Sequence, residues 1–102
     1  MDQINLENIF IVSDDVVARE IEGELIIVPL AAGIGDMGDE LYTLNETGKA
    51  IWRQLDGSNN LGKIVTDMVH EFAAERAEIE QDVLGLVAEL ARRRIVVQVE
   101  TL

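Results

Sequence analysis

The chain has 102 residues, no cysteine and a formal charge of −12, with 48% apolar and 27% charged residues. That length holds one domain with one core. The missing cysteine excludes disulfides, thiolate metal sites and a cysteine nucleophile, and it fits a reducing cytoplasm. The charge is uneven: residues 1–44 carry ten acids against Arg19 alone, a net of −9, while residues 45–102 net −3. So acidic a surface repels phosphate backbones, which argues against nucleic acid as a partner. The start, Met1-Asp2-Gln3-Ile4-Asn5, lacks the positive charge of a secretory signal. The longest apolar stretch, Leu25 to Ile34, contains Pro29 and is far short of the roughly 20 residues that cross a bilayer. A soluble, cytoplasmic protein without membrane contact is expected.

In chain order, Ile9-Phe10-Ile11-Val12 reads as a short strand or anchor ending at Ser13-Asp14-Asp15. Val16 to Ile21 reads as a strand, Glu22-Gly23 as a hairpin turn, and Leu25 to Val28 as the returning strand. Pro29 cannot donate to a ladder, so that strand ends there or leaves that side unpaired. Ala31 to Asp39, with Gly33, Gly35 and Gly38, reads as a loop, and Leu41 to Leu44 as a third short strand. Three consecutive strands predict a small antiparallel sheet.

From Asn45 the period becomes helical. Asn45 is a good N-cap, Leu44, Gly48, Ile51, Trp52 and Leu55 share a face, and Asp56-Gly57 ends the helix. Asn60 caps a second helix whose core face is Leu61, Ile64, Val65, Met68 and Phe72. A third helix spans about Ala77 to Arg93 with the stripe Ile79, Val83, Leu86, Val87 and Leu90. Leu84, Ala88 and Ala91 widen its apolar arc to about 200° at 100° per residue, more than a surface helix needs. Asp82, Glu89 and Arg93 lie on the opposite edge, and Arg92-Arg93-Arg94 complement the dipole at the C-terminus. Gly85 sits mid-helix at a cost near 1 kcal/mol relative to alanine. Ile95 to Val99 has the composition of a closing strand. The expected fold is a winged-helix-like α+β domain: two or three N-terminal strands in one small antiparallel sheet, then a three-helix bundle.

Leu44-Asn45-Glu46-Thr47, Ile51-Trp52, Leu55-Asp56-Gly57, Ile64-Val65 and the run Asp82 to Leu90 together resemble the PqqD family. Its pattern is a Leu-Asn pair opening the first helix, an Asp-Gly ending it, and an Asp-Val start to a Leu-rich last helix. The likeness covers slightly more than half the chain, the N-terminal strands agreeing only in character. The family usually has glycine after the last helix, where this chain has Arg94.

The resemblance implies a recognition element for the leader of a ribosomally made precursor peptide, in pyrroloquinoline quinone synthesis or a related pathway. The leader would add as a strand to the third strand, in a groove bordered by the last helix, and be presented to a modifying enzyme, often a radical S-adenosylmethionine enzyme. An open strand margin supplies unpaired N–H and C=O groups for this, and adjacent pockets select side chains. The implied docking edge is Leu41, Tyr42 and Thr43. Leu84, Ala88 and Ala91 are candidates for the groove, Asp82 and Arg93 for its charged flanks, and the Arg92-Arg93-Arg94 cluster, a dipole complement first, is second an anchor for acidic leader residues. The bland alternatives are an ordinary edge strand, helix-to-sheet packing and a solvated face.

No catalytic residue, cofactor or metal is expected. Trp52 is expected in the core, beside Ile51. His70 is the only histidine and no cysteine accompanies it, so neither a usual metal set nor a nucleophile–base pair can be assembled. Asp36, Asp39 and Glu40 do not have calcium-loop spacing, and no helix directly follows the glycines to make a nucleotide site. A winged-helix DNA binder remains as an alternative, disfavoured by charge. An open margin can also pair with its own copy and give a homodimer.

Overall fold

The computed structural model describes residues 4–30 and 42–99, with Tyr42 described in its backbone only. Leu41, the glycine-rich segment and Asp36, Asp39 and Glu40 lie outside the described residues.

The elements are β1 (Ile9–Val12), β2 (Val16–Ile21), β3 (Glu24–Pro29), β4 (Tyr42–Leu44), α1 (Glu46–Arg53), β5 (Asp56–Asn60), α2 (Leu61–Phe72), α3 (Arg76–Arg92) and β6 (Val96–Val99). The α+β class and the three helices agree with the sequence reading. The single small sheet does not. Two three-stranded antiparallel sheets form instead, ordered β2-β3-β4 and β5-β1-β6.

The first sheet is local. Glu22 at φ 52° and Gly23 at φ 84° make the two-residue turn, whose positive φ values match the twist of the strands it joins. The ladder runs from Ile21 opposite Glu24 to Val16 opposite Pro29, and the Leu30 N–H donates to the Asp15 carbonyl at 2.7 Å. Hydrogen-bonded pairs alternate along an antiparallel ladder, so Pro29 falls at a non-bonded position and its missing N–H breaks no bond to β2.

The second sheet joins three distant segments, with β1 in the centre. The polar stretch Asp56-Gly57-Ser58-Asn59-Asn60 is a strand only because β1 pairs with it, irregularly, through Ile9 opposite Asn60 and Ile11 opposite Asp56. The Asp56 carboxylate accepts the N–H groups of Ser58 and Asn59 at 2.9 and 3.2 Å. These bonds hold its carboxyl below the usual range.

Both expected caps form. Asn45 accepts the Gly48 N–H at 2.9 Å and Asn60 that of Lys63 at 2.8 Å. Helix α1 stops at Arg53, before Asp56-Gly57, because that pair is taken into the second sheet. The core gathers Phe10, Ile27, Leu44, Ile51, Leu61, Ile64, Val65, Met68, Val83, Val87, Leu90 and Ile95. Trp52 packs on its periphery, half-buried. Phe72, expected inside, is 37% exposed at the last position of α2, where Ala73 turns left-handed at φ 50° and leads the chain away. Lys49 is buried at 6% exposure. Its ammonium donates to the Gly23 carbonyl at 2.6 Å and pairs with Glu46 at 3.0 Å, tying α1 to the hairpin turn. Among the described residues no helix is long and apolar enough to cross a membrane.

Candidate functional site

Two open strand margins stand out, and ladder parity shows which residues serve each. In the first sheet the turn fixes Ile21–Glu24 as a bonded pair, so Glu24, Ile26 and Val28 direct their backbone groups to β2. Leu25 and Ile27 therefore face β4, where they oppose Leu44 and Tyr42. Thr43 is left with its N–H and C=O aimed outward. Its side chain is exposed, Leu44 is buried, and no described residue pairs with that margin.

In the second sheet the Ser13 N–H donates to the Ile95 carbonyl at 2.9 Å. The register continues as Val12 opposite Val96, Ile11 opposite Val97, Phe10 opposite Gln98 and Ile9 opposite Val99. Val97 and Val99 thus bond to β1, and Val96 and Gln98 aim their backbone groups away from it. Again no described strand occupies that side.

Beside this second margin lies a groove of about 980 Å³, at the upper end of the roughly 300–1,000 Å³ that ligand clefts occupy. One wall is α3, through Leu84, Gly85, Ala88, Ala91 and Arg92, and the floor holds Ile4 and Phe10. The other wall is Val96, Val97 and Gln98. Consecutive strand residues point to opposite faces, so three in a row line one groove only where it runs along the strand's margin. Gly85 leaves open space where a Cβ would project, with nothing within 4 Å.

The groove's rim is charged. Glu89 binds Arg92 at 2.7 Å and Arg93 at 2.6 Å. The Arg92 bond first, and the Arg93 bond second, hold its carboxyl below the usual carboxylate range. Arg94 also lines the groove. It occupies the left-handed region at φ 64°, closing α3 with an Ile95 N–H to Leu90 carbonyl bond of 2.9 Å. Glycine is the ordinary residue for such a closure. Among the described residues, the guanidinium groups of Arg92, Arg93 and Arg94 gather here around the Glu89 carboxylate, in a chain of net charge −12.

The residues singled out in the sequence are thus divided. Leu84, Ala88 and Ala91 come together on the groove. Thr43 and Asp82 are exposed elsewhere, and Arg93 is half-buried on Glu89. The strand wall is β6, and Thr43 of β4 is not part of it. Sequence reasoning missed Ile4, Phe10, Val96 and Gln98 as site residues. The strand composition of Ile95 to Val99 was the available signal, but it does not say which margin stays open. His70 is exposed at the end of α2, and no group of three or more His, Asp or Glu side chains among the described residues is placed to hold a metal ion.

The family model described as coenzyme PQQ synthesis protein D matches residues 24–96. A PqqA binding protein of Xanthomonas oryzae pv. oryzae is 32% identical over 57 residues, which are 56% of this chain and 62% of that protein. A PqqA binding protein of Gluconobacter oxydans is 32% identical over the same length, 59% of that protein. The matches therefore span less than two thirds of these relatives. Among solved structures, the PqqD part of Methylobacterium extorquens PqqCD, described as a stand-alone recognition element for ribosomally synthesised and modified peptides, aligns with a TM-score of 0.71. That alignment is 22% identical and covers 92% of this chain and 94% of the other. TbiB1 in complex with the TbiA(beta) leader peptide aligns with a TM-score of 0.68 at 23% identity, covering 84% and 93%. At these identities the likeness is one of fold.

Proposed function

The chain belongs to the PqqD family, and from that premise we propose that it binds the leader of a ribosomally made precursor peptide and performs no chemistry on it. The observation that carries the reading is the outward backbone of Thr43 on β4, one of the two edge strands of its sheet. A leader laid along β4 would satisfy that N–H and C=O and add a fourth strand. The names of the Xanthomonas and Gluconobacter relatives and the leader-bound TbiB1 support a peptide ligand, with PqqA the first candidate.

We take the modifying enzyme, for which a radical S-adenosylmethionine enzyme is the family expectation, as the second partner, and the cytoplasm as the compartment. The winged-helix-like description of hairpin and helices belongs to the same proposal. Self-pairing through a strand margin would bring two chains of −12 together, so the reading favours a monomer at low salt.

The test is a titration of the labelled protein with PqqA and, in a second arm, with the precursor encoded nearest its gene. Binding at micromolar concentration or tighter is expected. Thr43→Pro removes an outward N–H and should weaken it at least roughly tenfold while the fold survives. Tyr42→Pro is the poorer probe, since its N–H serves the ladder to β3. Failure of both peptides to bind would sink the proposal, and unchanged affinity in folded Thr43→Pro would remove β4 from it.

A further inference from the structure

The margin of β6 has an apolar trough beside it, a helix wall with a missing Cβ, and arginines at one end. We infer that the groove between α3 and β6 is a second strand-accepting site, for an extended, acidic stretch of the precursor with apolar side chains at alternate positions. The inference rests on the reading above for the source of that stretch. The site itself stands on its own geometry.

The backbone of the guest is specified first. Gln98 presents its outward N–H and C=O at an exposed position. Val96, aligned the same way one pleat repeat back, is 1% exposed and lies at the covered inner end of the margin, so a guest strand bonds first at Gln98. Side chains on one face of that strand then fall towards Phe10, Leu84 and Ala88, which take apolar groups. Gly85 matters because the guest runs along the helix. A side chain there would fill the trough, and its absence lets another backbone approach.

Charge selects the guest further. Most of this surface repels acidic peptides, yet Arg92 and Arg94 line one end of the groove. Glu89, the described carboxylate beside them, already binds Arg92 and Arg93. No ion pair among the described residues engages Arg94. A guanidinium on an anion is a strong, directional contact, and a carboxylate on the guest near Arg94 would complete it. A basic guest would gain from the acidic surface at large but meet like charge here.

Two short synthetic peptides alternating leucine and serine, one ending in two glutamates and the other in two lysines, test this with the full chain labelled for NMR. The glutamate peptide should shift the amides of Val96, Gln98, Gly85 and Ala88 and bind at least roughly tenfold more tightly than the lysine peptide, the worth of one charge-assisted bond. Arg94→Glu should reverse that preference. Gly85→Leu, which improves helix propensity and so keeps the fold, should abolish the shifts. Gln98→Pro, which removes an outward N–H and spares the ladder to β1, should weaken binding tenfold or more. Equal binding of the two peptides, shifts confined to β4, no binding to the wild type, or wild-type affinity in Gly85→Leu would each overturn the inference. Loss of the precursor itself as a ligand, with the glutamate peptide still landing on β6, would instead sink the functional reading and leave this site standing.

Discussion

The two sheets are built from opposite kinds of sequence. The sheet β2-β3-β4 comes from one stretch of chain, closed by a two-residue turn, and its strands alternate apolar and polar residues or read as β-branched runs. The sheet β5-β1-β6 joins residues near the start, middle and end, and one of its strands is Asp-Gly-Ser-Asn-Asn. Local preference builds the first. The second exists because three segments meet over one core. Each has an edge strand, β4 or β6, whose outer side no described strand occupies, and a groove runs along that of β6.

The largest effects test whether both sheets are integral to the core. Phe10 of β1 is 2% exposed and Ile27 of β3 is fully buried. Phe10→Ala should cost about 3–5 kcal/mol and Ile27→Ala about 2–5 kcal/mol in urea unfolding. A loss below about 1 kcal/mol for Phe10→Ala would mean that the second sheet is an appendage.

Next in size is the tie between α1 and the hairpin. Lys49→Ala removes a buried ammonium bond to the Gly23 carbonyl and should cost about 2 kcal/mol, with the hairpin amides exchanging faster in deuterium oxide. A neutral result would show that the turn holds its shape alone.

Smaller and opposite in sign are the changes at the groove. Arg94 holds a left-handed φ that costs a residue with a Cβ about 1 kcal/mol, so Arg94→Gly should raise the melting temperature while losing the glutamate peptide's advantage. Gly85→Ala should stabilise by roughly 0.5–1 kcal/mol, since its Cβ meets open space. Destabilisation by either would contradict the geometry at this end of α3.

The smallest effect is that of pH. Glu89 and Asp56 both have lowered carboxyl pKa values in the fold. A lowered value means that the folded state binds protons less readily than the unfolded one. Their contribution is present above the unfolded carboxylate range and disappears as pH falls through the folded values. Glu89→Gln should therefore lose less stability than the wild type between neutral pH and pH about 3, as followed by urea midpoints. An identical pH dependence would show that the pairs with Arg92 and Arg93 contribute nothing to folding.

Much of this was legible in the sequence, for reasons confined to short stretches of chain. Asn45 and Asn60 cap because their side chains reach N–H groups three residues on. Glu22-Gly23 turns because positive φ is tolerated there, and Leu84, Ala88 and Ala91 share a helical face because 100° per residue puts them there. Phe72 misled because its spacing fits the stripe, but the helix ends beneath it. Asp56 to Asn60 misled because a partner strand overrode a turn signal.

By itself, then, the sequence determined the caps, the hairpin, the helix faces and the family pattern, all set by neighbours within a few residues. Tertiary structure alone decided that β1 sits between β5 and β6, that parity points Val96 and Gln98 outward, and that the wide apolar arc of α3 lies against β6. Those are matters of which distant segment stands beside which, and no local preference of a strand records its neighbour.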